Sequence, residues 1–468
     1  MNKSQNILII GAGLCGSLLA LRLAQRGYNV QLVEKRPDLR EELQDAGRSI
    51  NLALSDRGLR GLRLAGVEEA AKELCIPMHG RMIHDKEGNT FLSPYSGREN
   101  EYINSISRPG LNMLLLDEAE KMPNVSIIFN KGCHQVDLEN ASAIFKDYDT
   151  GEEIQLSGDV ILGTDGAGSA VRKSMFNHRK FLFSFSQEWL THGYKEITIP
   201  PAEGGGYRTN KSALHIWPRG EDMLIALPNL DGSFTVTLFL PYSNSDYCFD
   251  NLTTKDIVLE YFNQEYPDAV ALMPNLAEEF FENPTGPLGT IKCSPWNSYG
   301  KTLLLGDAAH AIVPFYGQGM NASFEDVIVF DNVLDRFQDQ PTDWQKVFSA
   351  YEKERKKDTD AIADLAVDNF HEMKEHTASP LFQQKRKLEI AFETNFPNKY
   401  SSKYALVTFN EHISYEQAMK QGRAQDKAIL NLLNDGKLPI EMSLENKLAM
   451  VQKETEDILH DDEVVGNL

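Results

Sequence analysis

Apolar residues fall along this chain in short runs whose period changes more than once. NILII, residues 6–10, is apolar without alternation, the pattern of a strand covered on both faces. SLLALRLAQRG, residues 17–27, has helical spacing and a glycine stop, and NVQLVEK is a second strand ending at Glu34. Together they predict a βαβ unit. GDVILG, residues 158–163, is another buried strand. SALHIWP, DMLIALP and SFTVTLFLP, between residues 212 and 241, are short strands, and NLDGS between the last two signals a hairpin. An apolar strand returns at 302–306. Beyond about 326 the pattern is helical, and TDWQKVFSAYEKERKKDTDAIADLAVDNFHEM contains neither glycine nor proline. The expected fold is α/β: a discontinuous Rossmann-like nucleotide-binding domain, 1–175 and 296–330, an inserted antiparallel β-sheet substrate domain, 176–295, and a C-terminal helical region, 331–468.

The connection after the first strand carries chemistry. Gly11, Gly13 and Gly16 form GxGxxG between a strand and a helix, and Glu34 ends the next strand. Glycines there allow a tight turn and close approach to a pyrophosphate, which meets the free N–H groups of the helix start. Glu34 can accept from a ribose diol and would repel a 2′-phosphate, so the bound nucleotide is FAD or NAD rather than NADP.

Composition narrows the class. The net charge of -21 over 468 residues argues against nucleic-acid binding. Five cysteines, with no CxxC pair, predict neither disulfides nor a metal site, and suggest a reducing, cytoplasmic setting. No run reaches the ~20 apolar residues of a membrane span, and the C-terminus is acidic.

Two more strand-end acids separate FAD from NAD. Asp165-Gly166 is followed by Ser169 and Arg172. Gly306-Asp307 is followed by Pro314 and the run Gly317-Gln318-Gly319-Met320-Asn321. A dehydrogenase needs no such acids, whereas the ribitol chain of FAD needs an acceptor, a task that suits Asp307. Backbone N–H groups of the loop 317–321 can stabilise the negative charge of a reduced flavin ring.

These three motifs in this order resemble those of the single-component FAD-dependent aromatic hydroxylases. The resemblance extends over nearly the whole chain to the branch acting on L-kynurenine, through EKRPD, RSINLALSDRG, HGRMIHD, SISRPGLN, ILGTDGAGSAVR, LLLGDAAHAIVPFYGQGMNASFED and DLAVDNFHEM. It implies non-covalent FAD contacted by Leu14, Glu34, Ala53, Arg108, Asp307, Met320 and Asn321. Arg81 and Tyr95 would hold the substrate carboxylate, with polar contacts from Asn369 and Tyr404 and with Glu372 nearby. It further implies NADPH and O2 as co-substrates, a flavin hydroperoxide as oxidant, and 3-hydroxykynurenine as product. The mitochondrial members end in a membrane helix that this sequence lacks, which implies a soluble, bacterial-type form. An arylamine ring is electron-rich while neutral, so no catalytic base is assigned.

Taken alone, several of these residues have plainer readings. Arg81 reads as a salt-bridge residue, Tyr95 as a loop tyrosine, and Asn369 and Glu372 as the solvated side of a helix. His310 reads as a hydrogen-bonded structural histidine, and the run Lys353–Lys357 as a solvated helix face; His84 and His371 carry no clear signal. Two other functions remain open: a halogenase or reductase on the same scaffold, against which Trp217-Pro218 stands without a second tryptophan, and a non-enzymatic flavin-binding module.

Overall fold

The computed structural model describes residues 5–41, 51–337, 341–375 and 379–466. The start of the RSINLALSDRG stretch therefore lies outside the described residues. The chain divides into two compact units. The first comprises 1–75, 105–190 and 287–363, and the second 76–104, 191–286 and 364–468. This partition differs from the one expected. Residues 76–104 fall in the second unit with the inserted sheet and the final helices, while 176–190, 287–295 and 331–363 fall in the first.

The first unit is built on a six-stranded sheet in the order Asn297–Ser298, Thr302–Leu304, Val160–Gly163, Asn6–Ile10, Asn29–Val33, Val125–Ile128. All neighbours are parallel except the edge pair 297–298 with 302–304. The unbroken apolar runs seen in the sequence are these central strands, buried on both faces. Every strand-end acid of the sequence analysis lies at a carboxyl end of this sheet or just past it, where ligands of open α/β sheets bind.

The same unit contains a chain of buried charges. Arg57 donates to Glu325 at 2.8 Å, and Arg355 bridges Glu325 and Asp326, each at 2.7 Å. Asp326 also accepts from the Gly306 N–H at 2.8 Å and lies 2.7 Å from His310 Nε2. The structural reading of His310 agrees with this. The solvated reading of the run 353–357 does not, because Arg355 is fully buried. A helix of 32 residues with no glycine or proline has more than one face, and one cation of the run points inward.

The second unit has an antiparallel set, residues 192–199, Phe234–Pro241, Asp222–Pro228 and Leu214–Arg219, with 229–233 as the predicted hairpin turn. Strand Gly80–His84 then pairs in parallel with 214–216, and Thr90–Pro94 pairs antiparallel with it. The helices Lys255–Glu265 and Leu276–Glu282 share a core with this sheet through Val258, Phe262, Phe280 and Trp217. Helices Pro380–Asn395, Lys403–Thr408, Tyr415–Asn434 and Leu444–Gly466 follow, with Phe392, Ile429, Leu432 and Val451 in one cluster. Among the described residues no helix is long and apolar enough to cross a membrane.

The parallel junction at Gly80–His84 is locked by side chains. His215 Nε2 lies 2.8 Å from the Asn210 carbonyl, so it carries the proton, and its Nδ1 accepts from His84 Nε2 at 2.8 Å. His84 Nδ1 lies 2.7 Å from Asp268, which also accepts from the Trp217 indole at 2.8 Å. Burial lowers the His215 pKa to about 4. In the unfolded chain this imidazole gains its proton near its ordinary value of about 6.5. Stability should therefore be full above about pH 6.5 and fall as the pH drops toward about 4. Denaturant unfolding across this range should show that slope in the wild type and a shallower one in His215→Asn.

Candidate functional site

The glycine loop shows why each glycine is needed. Gly11 has φ +102, and a Cβ there would lie 2.6 Å from the Thr164 carbonyl. A Cβ on Gly16 would lie 1.9 Å from the Gly11 carbonyl, so these two let strand, loop and helix close together. At Gly13 an added Cβ meets nothing within 4 Å. That open space lies at the start of helix Leu14–Gln25, whose N-cap, Gly13, provides no side-chain hydrogen bond. Free N–H groups facing open space suit a pyrophosphate.

Three polar side chains brace this loop. Glu34 accepts from the Ala12 N–H at 2.8 Å, and from Arg36 through its N–H at 3.1 Å and its Nε at 2.8 Å. A carboxylate has about four acceptor positions, so Glu34 keeps capacity for a ribose hydroxyl. Asn112 donates to the Ala12 carbonyl and to Ser17, each at 3.1 Å, and the Thr164 hydroxyl donates to the Gly11 carbonyl at 2.8 Å. Asn112 was missed in the sequence; its signal is one amide inside the apolar stretch GLNMLLL.

The two strand-end acids prove to be different. Asp165 accepts from Ser169 Oγ at 2.5 Å and from the N–H groups of Ala170 and Val171 at 2.7 and 3.3 Å. Three of its acceptor positions serve the start of helix Ala170–Asn177, so its carboxylate shapes the turn. Arg172 joins that turn to the next motif, donating to the carbonyls of Ala308, at 2.7 Å, and Ala167. Asp307, in contrast, has no hydrogen-bond partner among the described residues. Burial pushes its carboxyl up from the ordinary range, while His310 and Arg108 pull it down. A half-buried acceptor at a strand end, with a vacant hydrogen-bonding edge, fits a ribitol hydroxyl. Arg108 is exposed at the start of helix Arg108–Glu120 and makes no hydrogen bond among the described residues.

The glycine-rich run after Pro314 makes a 3-10 turn, Pro314–Tyr316, then Gly317 at φ +68, then helix Gly319–Arg336. No side-chain hydrogen bond caps this helix. The Asn321 side chain is committed: its amide donates to the Ala53 and Gly317 carbonyls, both at 2.8 Å, and its oxygen accepts from the Ser55 N–H at 3.0 Å. It therefore ties strand Asn51–Leu54 to the loop, with both side-chain N–H donors committed. Gly319 and Met320 open the helix, with N–H groups that suit a flavin edge. The residues present fit FAD.

The substrate candidates all lie in the second unit. Arg81, on strand Gly80–His84, stands over two tyrosine rings, 4.6 Å from the centroid of Tyr404 and 5.4 Å from that of Tyr95. The rings are stacked, 5.3 Å apart and 11° from parallel. No carboxylate pairs with Arg81 among the described residues. The Tyr95 hydroxyl is buried without a well-formed hydrogen bond there. Burial raises the pKa of both phenols, so both stay neutral. Glu372 pairs with Lys403, which also binds Asp426 at 2.7 Å. The Asn369 amide lies 3.4 Å from Met373 Sδ. Sequence separation hid the pairing of Tyr95 with Tyr404, which belong to a loop and a helix three hundred residues apart.

Known proteins resemble this chain over most of its length. It matches the FAD binding domain family over residues 4–181 and 268–366. It is 46% identical over 434 residues to a kynurenine 3-monooxygenase of Myxococcus xanthus, covering 93% of this chain and 92% of that protein. Its identity to the Dictyostelium discoideum kynurenine 3-monooxygenase is 44% over 439 residues, 92% of this chain and 93% of the other. Among solved structures, the fold is similar to that of 2-methyl-3-hydroxypyridine-5-carboxylic acid oxygenase, with TM-score 0.64 and 21% identity over 84% of this chain and 97% of that one. Pseudomonas aeruginosa PqsL is similar with TM-score 0.64 at 17% identity, over 80% of this chain and 97% of that one.

Asp307→Ala should weaken FAD binding by roughly 5- to 150-fold, the loss of a buried hydrogen bond of about 1–3 kcal/mol. Fluorescence titration of the apoprotein with FAD measures this. Unchanged affinity would remove Asp307 from the site.

Proposed function

The chain belongs to the kynurenine 3-monooxygenase family, and from that premise we infer that it hydroxylates L-kynurenine beside the ring amino group, with FAD as cofactor and NADPH and O2 as co-substrates. The observation that supports this best is Arg81, a cation placed over two stacked phenols with no carboxylate paired to it among the described residues. Kynurenine brings an α-carboxylate, and a guanidinium can take it through two parallel hydrogen bonds. The rings hold the guanidinium in place by cation–π attraction, and the neutral Tyr95 hydroxyl is a second donor. Arg81 and the tyrosines would thus fix the amino-acid end and so orient the arylamine. Asn369 and Glu372 are proposed as polar contacts to the rest of the substrate, with Glu372 already oriented by Lys403.

FAD, when bound, supplies the oxygen chemistry, and the protein supplies binding and orientation. Gly11, Gly13, Leu14 and Gly16 would receive the pyrophosphate, Glu34 the ribose, and Asp307 the ribitol. Ala53, Arg108, Pro314, Gly319, Met320 and the Asn321 backbone would border the flavin, with Asp165 holding the neighbouring turn. A cytoplasmic location is supported by five unbridged cysteines.

The reading is tested by following NADPH oxidation in the purified holoenzyme. Oxidation should be slow alone and faster with L-kynurenine, and mass spectrometry should find a product heavier by one oxygen atom. Reduction rates indifferent to kynurenine would contradict it. Arg81→Met should lower kcat/KM by roughly 10- to 150-fold, since a charge-assisted hydrogen bond contributes about 1.5–3 kcal/mol. Most of the loss should appear in KM, because the carboxylate contact is the same in ground and transition states. Decarboxylated kynurenine is the control: the variant should use it no worse than the wild type does. Equal losses on both compounds would make Arg81 structural.

A further inference from the structure

The stacked tyrosines belong to segments far apart in sequence, and something must hold them in register. Tyr95 sits in the loop after strand Thr90–Pro94, and Tyr404 in the short helix Lys403–Thr408. Between those two segments lies one buried carboxylate. Glu393, on helix Pro380–Asn395, is fully buried. Its Oε2 accepts from the Gly97 N–H at 3.0 Å, two residues after Tyr95. Its Oε1 accepts from the Ser402 N–H at 2.8 Å, two residues before Tyr404. Ser402 is also the N-cap of the Tyr404 helix, accepting from the Ala405 N–H.

The loop rests directly on the Glu393 helix. A Cβ on Gly97 would lie 2.5 Å from Thr394 Oγ1 and 2.7 Å from the Ile390 carbonyl and the Thr394 nitrogen. No side chain fits there unless the loop or the helix moves. The helix also grips the loop from its other end, through Arg386, which donates to the Pro94 and Tyr95 carbonyls at 2.8 and 2.9 Å. Arg98 lies 3.9 Å from Glu393 and donates to the Pro397 carbonyl at 2.8 Å and to Ser401 at 2.9 Å. The two oxygens of Glu393 thus accept one backbone N–H each, Oε2 from the Tyr95 segment and Oε1 from the Tyr404 segment. A buried carboxylate is costly without such donors, so the geometry is strongly specified.

We propose that Glu393 is a positioning residue for substrate binding, joining the Tyr95 loop to the Tyr404 helix so that the two rings stack beneath Arg81. The proposal rests on the reading of Arg81 as the carboxylate anchor. Glu393 touches no reacting group. It acts only through the spacing of the two tyrosines and hence the place of the guanidinium.

The test uses holoenzyme of Glu393→Gln, which turns an N–H donor toward a backbone N–H, and of Gly97→Ala, which lifts the loop without altering Glu393. In both, KM for L-kynurenine should rise about 10-fold, with kcat changed by less than about threefold. FAD content, substrate-free NADPH oxidation and activity on decarboxylated kynurenine should stay close to wild type. Glu393→Gln combined with Arg81→Met should lose little more than Arg81→Met alone, because both act on one anchor. Equal losses on the two substrates, additive losses in the double variant, or an unchanged KM would overturn the positioning role. Failure of both single variants to fold would assign the pair to stability alone and overturn it too. A wild type that does not hydroxylate L-kynurenine overturns the functional reading, and the proposal with it; an active wild type with unaffected variants overturns the proposal only.

Discussion

The flavin half of the molecule depends on one buried carboxylate. Asp326 is fully buried, yet it meets the Gly306 N–H, His310 and Arg355. Burial alone would raise its pKa; His310 and Arg355 hold it below the ordinary range. Removing one partner of such a buried set costs about 3–5 kcal/mol, because the remaining charge is stranded. Asp326 is in helix Gly319–Arg336, so the same contact fixes the start of that helix relative to the Gly306-Asp307 turn. Glu325, next to it, extends the link through Arg57 to the helix that follows strand Asn51–Leu54. Three segments that carry proposed flavin contacts are thereby held to one set of charges.

The second unit follows the same logic with different chemistry. Its candidate substrate anchor is a cation with no carboxylate partner among the described residues, set over two phenol rings. Such an arrangement is stable enough to persist and still leaves the guanidinium hydrogen-bonding edge available to an anionic ligand. The strand that carries Arg81 is registered by the His84–His215 contact, and the tyrosines by backbone N–H groups converging on Glu393. Several of the residues that hold these segments in place are buried and polar, among them Glu325, Asp326, Arg355, His215 and Glu393.

The residues dedicated to a nucleotide were legible because their chemistry is local. GxGxxG, Glu34 and Gly306-Asp307 each follow a strand within a few residues, and a strand-to-helix turn exposes the same N–H groups wherever it occurs. The apolar runs likewise identified the central strands, since burial on both faces demands continuous hydrophobicity. The long helix Trp344–Glu375 followed from the absence of breakers. Resemblance to a family then named Arg81, Tyr95 and Tyr404, which no spacing argument could have paired.

Tertiary structure decided what depends on partners distant in sequence. Asp165 and Asp307 are alike in sequence, each an acid at a strand end. Only folding shows that three donors already meet the first, whereas the second has no hydrogen-bond partner among the described residues. Arg355 lies in a run of cations that reads as solvated, and it is buried because Glu325 and Asp326, thirty residues away, reach it from another helix. Residues 76–104 look like part of the nucleotide domain in chain order, yet a parallel pairing of Gly80–His84 with 214–216 places them in the other unit. Local pattern determines which segments become strands, helices and phosphate-binding turns, because those depend on neighbours within a few residues. Which charges are paired and which remain available for a ligand depends on the close approach of segments hundreds of residues apart, and that is settled only when the chain packs.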